Sequence, residues 1–279
     1  MDASSNSSKN KLSLKEQVDR WIAGQGYPLE FFAADAFERS GFKTLQSWHI
    51  HDAFDDIQTP REIDVIASLD SRDHEPDIKL THVVECKYAS SPWIVFSSAA
   101  SQNDPEQNIS QIMANALGSE FLHHVSSDED LHKLSLFKGL ERSGFNTAVM
   151  RGQQERKDKD PSYSALQSVV SAAVNLSKLG GEDARGCSQA AFFFPVIVIE
   201  GAIFEAYYDA PNMKVISQEV THAQVRWRGL SGRDEAAIVD MVSKSHLRDF
   251  ATTRKREFDI LLAKLIRKSK AVHEMLWLD

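Results

Sequence analysis

Two apolar stretches, Ile63-Asp64-Val65 and Val83-Val84-Glu85-Cys86-Lys87, constrain the fold of this chain more than any other part of it. Each carries charge within a run that otherwise belongs in a core. Side chains alternate across an extended strand, so Glu85 and Lys87 share one face and Cys86 takes the other. With the two stretches on neighbouring strands, Asp64 joins Glu85 and Lys87 in a compact polar cluster. Burying such a cluster without a partner is costly. A divalent cation and a phosphate satisfy it. An acid-X-lysine on a strand is more often a solvent-facing pair, but here it follows the apolar Val83-Val84 and is matched by the Ile63-Asp64 strand.

Periodicity orders the rest of the chain. Ser13 and Glu16 form a capping box ahead of Leu14, Val18, Trp21 and Ile22 at helical spacing. Pro28 suits the first turn of a second helix. Its apolar stripe is Leu29, Phe32, Ala33, Ala36 and Phe37, which sets Glu30 at the edge of the buried face. Strands follow near Leu45–Ile50, Glu62–Leu69 and Leu80–Tyr88, the last two joined by a polar turn from Asp70 to Lys79. Asn103-Asp104-Pro105-Glu106 starts a helix that runs through Ile109, Ile112, Met113, Ala116 and Leu117. Residues 124–160 read as a surface insertion with one short helix near Leu131–Leu140. Asp160-Pro161 opens another helix, which Gly180-Gly181 stops. Phe192–Ile199 is a core strand, and the strands after it, through Trp227, read as an antiparallel meander. Asp234–Leu276 closes the chain as helix. Residues 1–11 read as a disordered tail and residues 12–279 as one domain.

Charge and cysteine content limit the partners. A net charge of −8 argues against a wholly nucleic-acid-binding surface, but binding depends on local patches. The C-terminal helix supplies one in Arg254, Lys255, Arg256, Lys264, Arg267 and Lys268. These residues point to phosphate contacts, and the same run also reads as an ordinary solvated face. Cys86 and Cys187 give no disulfide framework and no zinc pattern, which suits a reducing, cytoplasmic setting. No run approaches the roughly 18 apolar residues of a membrane span.

The succession helix–strand–strand–strand–helix, carrying Glu30, Asp64, Glu85 and Lys87, resembles the PD-(D/E)XK nuclease superfamily. Leu29-Glu30-Phe31-Phe32, Ser40-Gly41-Phe42, Ile63-Asp64 and Glu85-Cys86-Lys87 look most like Mrr-type restriction endonucleases and archaeal Holliday-junction resolvases, over about residues 27–120. Ile63 stands where the family often has proline, and the long gap from Asp64 to Glu85 implies an extended hairpin. The resemblance implies an α/β, restriction-endonuclease-like fold: a central mixed sheet flanked by helices, with additional C-terminal strands and helices. It implies a metal-dependent endonuclease that hydrolyses DNA phosphodiester bonds, in restriction or phage defence. The alternatives are a junction or repair nuclease, or an inactive module of the same fold that binds nucleic acid or protein. DNA is the implied partner, with a second copy of the chain or a partner defence protein beside it.

The same resemblance assigns roles. Asp64 and Glu85 are the carboxylate ligands of Mg²⁺ or Mn²⁺, and the Cys86 carbonyl is available as a backbone ligand. Mg²⁺ prefers oxygen ligands and keeps several waters. Lys87 orients the attacking water, deprotonates it, or holds the scissile phosphate; all three roles stand open. Glu30 completes the shell from its helix. Glu62 is a second acid near the site or a solvated one, and Gln111 is a candidate substrate contact.

Overall fold

The computed structural model describes residues 12–51, 60–71, 77–99, 104–150, 160–179, 189–228 and 236–276. The tail at 1–11 and the Gly180-Gly181 helix stop lie outside the described residues. The chain is α/β, with a large mixed sheet flanked by helices. Strands β1 (Lys43–His51), β2 (Pro60–Asp70) and β3 (Asp77–Tyr88) run antiparallel in sequence order. The extended hairpin is present: β2 and β3 pair as far out as Asp70 and Lys79. Beyond β3 the sheet continues with two parallel partners, β7 (Gln189–Glu200) and β11 (Ala236–Ser243). Next comes β10 (His222–Arg228), antiparallel to β11. It meets β6 (Arg142–Val149) through the pair Val225 and Gly144. Then follow β4 (Trp93–Ala99), β8 (Ile203–Asp209) and β9 (Lys214–Val220). The two-residue β5 (Met113–Ala114) pairs with the first half of β7.

Helices cover both faces, which is why the central strands read as unbroken apolar runs. On one face α2 (Tyr27–Arg39), α4 (Ala116–Val125) and α8 (Leu247–Leu276) pack Phe37, Phe121 and Phe258 against Leu80, Val84, Phe192 and Val198. On the other, α7 (Pro161–Leu179) packs Leu166, Val169 and Ala173 against Val83, Ile197 and Val239. The first helix, α1 (Leu14–Ala23), has its capping box and buries none of its residues. Among the described residues no helix is long and apolar enough to cross a membrane.

Four sequence readings give way here. Over its described part, 124–150, the surface insertion gives way: α5 (Glu129–His132) and α6 (Ser135–Lys138) bury Leu131, Leu136 and Phe137 in the main core, and β6 lies inside the sheet between β4 and β10. It escapes notice because it buries small and polar residues, Ser143, Gly144 and Thr147, in place of β-branched apolar ones. The helix after Asp104 stops at Ser110 (α3, Pro105–Ser110). A new helix starts after Asn115, whose Oδ1 accepts from the Gly118 and Ala191 N–H groups, tying the break to β7. The C-terminal region begins as β11, because Val239, Met241 and Val242 are buried on both sheet faces. The meander also fails beyond the β8–β9 pair. Both edges of β7 are taken, by β3 and by β5 and β11, so β8 pairs with β4 instead.

Candidate active site

The charged cluster forms where β2 and β3 part. Their ladder ends at Val65 and Val84, while β3 goes on pairing with β7 through Tyr88. Asp64 is also the one break in the β1–β2 ladder, opposite Ser47, which has a positive φ of 53°. The side-chain alternation slips there. Ile63 and Ile66 pack on the α7 face, and Val65 and Ala67 on the α2 face. A local irregularity of this kind re-aims a side chain, and such features recur next to active sites. Here it turns the Asp64 carboxylate into the gap, where Oδ2 accepts the Cys86 N–H at 2.6 Å. In an extended strand the N–H and C=O of one residue point to the same edge. The Cys86 carbonyl therefore faces the same gap.

Glu85 and Lys87 share a face as the alternation requires, and they form an ion pair. The second Glu85 oxygen accepts from Ser168 Oγ of α7 at 3.1 Å. Ser168 escapes sequence reading because nothing local links it to Glu85, 83 residues away. Glu30, half-buried in the first turn of α2, lies within electrostatic reach of Glu62, Lys87 and Glu85. Its Oε1 stands close to Gly26, so it also serves the helix N-terminus.

The electrostatics mark a site short of positive charge. Burial, then the Glu85 charge, pushes the Asp64 carboxyl up to about 7, against the Cys86 N–H and Lys87. Burial and then Glu62 raise Glu30. Burial pulls Lys87 down, but the charge and hydrogen bond of Glu85 outweigh it and leave the amine raised, hence cationic. Burial and the surrounding carboxylates hold the Cys86 thiol well above its ordinary value, so its sulfur stays protonated and only its backbone is available as an oxygen donor. Among the described residues no group of three or more His, Cys, Asp or Glu is drawn together as a metal cage. The close donors are two carboxylates and one carbonyl. Mg²⁺ is commonly held by one or two carboxylates, with waters and substrate phosphate completing its shell, and this donor set fits that pattern.

The basic C-terminal residues separate into three groups. Arg254 faces inward and is 1% exposed. Its Nη2 donates to Asp240 at 3.0 Å and its Nη1 to Glu257 at 2.6 Å, with the guanidinium 4.8 Å from the Phe250 ring centre. It is therefore no phosphate contact. The signal was available: Arg254 keeps helical phase with Phe250, Phe258, Leu261 and Leu265, all buried. Lys255 pairs with Asp259, and Lys264 with Asp128 and Asp130. Arg256, Arg267 and Lys268 are exposed. Gln111 is also committed elsewhere, accepting from Arg226 at 2.7 Å.

Set against family models, curated proteins and solved structures, the chain shows no significant match to any of them.

Proposed function

We propose that this chain is a Mg²⁺- or Mn²⁺-dependent endonuclease of the PD-(D/E)XK type that hydrolyses phosphodiester bonds in DNA, with a restriction or defence role in the cytoplasm. The observation that carries the reading is the convergence of Asp64, Glu85 and Lys87 at the point where β2 and β3 separate. The rim has the right place in the fold. β3, β7 and β11 are parallel, and ligands of open α/β sheets bind beyond the carboxyl ends of such strands.

Asp64, Glu85 and the Cys86 carbonyl would hold the cation. When bound, it supplies activation of water and charge stabilisation on the phosphoryl oxygens. Lys87, anchored by Glu85, keeps a cation at the rim to receive the scissile phosphate or align the attacking water. Ser168 fixes the Glu85 carboxylate from the opposite element, so the first ligand is oriented before substrate arrives. Arg256, Arg267 and Lys268 are the remaining C-terminal candidates for phosphate contacts.

Incubation with supercoiled, linear, branched and single-stranded DNA, with Mg²⁺ or excess chelator, tests this reading. Cleavage should require the metal and be lost in Lys87→Ala. Full activity in chelator rejects the metal assignment.

A further inference from the structure

We infer that the exposed aromatic row on α1 and α2 is a stacking platform for unpaired bases, so that the favoured substrate is DNA with single-stranded character. This rests on the nuclease reading above and names the substrate class of the same site. Trp21, Tyr27 and Phe31 are 59%, 44% and 58% exposed. Their rings nevertheless touch in series, with centroids 6.5 Å apart from Trp21 to Tyr27 and 6.4 Å from Tyr27 to Phe31. Large rings of a folded chain usually gain by burial. A contiguous exposed run of them marks a binding surface.

The placement of the row selects the occupant. Helical spacing puts Tyr27 and Phe31 on one flank of Glu30, so the row ends beside the acidic cluster. On another flank of α2, Phe32 lies under two cations, with Lys244 Nζ 5.4 Å and the Arg248 guanidinium 5.1 Å from its ring centre. Lys244 is held by Glu200 at 2.7 Å, and Arg248 approaches Asp35 at 3.6 Å. The Arg248 side chain is still 62% exposed. Glu200 and Lys244 stand at the carboxyl ends of β7 and β11, the same rim that carries Lys87. A cleft of about 440 Å³ opens among Phe32, Glu200, Lys244 and Arg248. Surfaces for single strands combine stacking rings with backbone-tracking cations, and they tolerate any base because every base has a π-face. Rings on one side of α2, beside Glu30, and cations on the other, at the rim that carries Lys87, meet that description. Leu14 and Val18 continue the row along α1 at helical spacing from Trp21, so a contact between two copies of the chain is the competing occupant that the test must separate.

The test is binding of end-labelled oligothymidylate and of a duplex of equal length, to the full chain in chelator. The single strand should bind more tightly than the duplex. Tyr27→Ala and Phe31→Ala should each weaken single-strand binding about tenfold, with duplex binding and thermal midpoint unchanged and Tyr27→Trp retaining affinity. Lys244→Ala with Arg248→Ala should flatten the salt dependence of binding. Equal affinity for the two substrates, or ring variants that bind as wild type, overturns the inference. So does sedimentation in which Leu14→Ser with Val18→Ser or the ring variants convert a dimer to monomer with no change in affinity. Metal-dependent nicking of supercoiled duplex, lost in Lys87→Ala, reports on the nuclease reading separately and stands whichever way the binding falls.

Discussion

Asp64 on β2 and Asp240 on β11 are both aspartates drawn into one sheet beside a cation, and their surroundings differ in kind. Asp240 is surrounded by donors. Arg254 meets it at 3.0 Å, His222 at 2.8 Å and Gln224 at 2.9 Å. Burial alone would raise its carboxyl, but these partners hold it well below the usual carboxylate range. Asp64 has one N–H and a lysine that is already paired with Glu85. Its carboxyl is raised to about 7. The first carboxylate is well partnered and closed off, even though the buried Arg254 Nε makes no hydrogen bond; the second is short of positive charge and open. A buried charge is expensive to strip of its partner, whereas an under-compensated cluster marks a candidate functional site.

The largest predicted effect breaks the closed network. Arg254→Ala leaves Asp240 and Glu257 buried without their cation. Urea denaturation should show a loss of about 3–5 kcal/mol. Replacing Arg254, Asp240 and Glu257 together with apolar residues of similar size should cost much less, since the penalty lies in the orphaned charge.

Next in size is the open cluster. Glu85→Ala and Lys87→Ala should each lower the cleavage rate on the order of 10²-fold or more, measured as nicking of supercoiled DNA. Neither should lower stability as Arg254→Ala does.

Acid should separate the two regions further. His82 lies fully buried beside the Arg254 network, within 6 Å ring-centre distance of Phe37, Phe42, Phe194, Phe250 and Phe258. Burial and the Arg254 charge push its pKa down to about 3. The fold therefore holds neutral imidazole, while the unfolded chain takes a proton below roughly 6.5. Stability should fall between those two values by up to about 1.4 kcal/mol per pH unit. His82→Phe should flatten that slope in denaturation curves at pH 4–6. The lowered Asp240 adds a further loss below roughly 3.9, where the unfolded carboxylate takes a proton that the folded one refuses. Asp64 has the opposite sign. Its raised carboxyl costs the fold stability above pH 7, and the cost lessens as pH falls toward the unfolded value of roughly 3.9. Metal affinity should weaken as pH drops below 7, because the cation competes with that proton.

The smallest effect is at the exposed basic residues. Arg256→Glu, Arg267→Glu and Lys268→Glu should leave stability within about 0.5 kcal/mol of wild type. On the proposed nuclease reading, these reversals should show only as a flatter salt dependence of DNA binding.

How far the sequence announced all this follows the same division. The first α1 turn, the β2–β3 hairpin, the start of α7 and the apolar β7 were legible because their signals are local: a capping box, alternation, a proline, an unbroken run. The shared face of Glu85 and Lys87 was legible from the two-residue period alone. What stayed hidden depends on distant partners. β4 and β6 join a sheet whose neighbours lie far along the chain, and β11 reads as helix until β7 and β10 are beside it. Arg254 counts as basic in composition and becomes a core residue only through Asp240 and Glu257. The slip at Asp64 also has no local signature, since it arises where β1 and β2 lose their pairing at Ser47 and Asp64.

The most direct test of the account is Mg²⁺-dependent conversion of supercoiled to nicked DNA by Asp64→Asn, with its urea midpoint taken at pH 8 on the same preparation. The account predicts no conversion from a protein at least as stable as wild type, because asparagine removes a ligand and also an uncompensated buried charge. Wild-type nicking by this variant would contradict it.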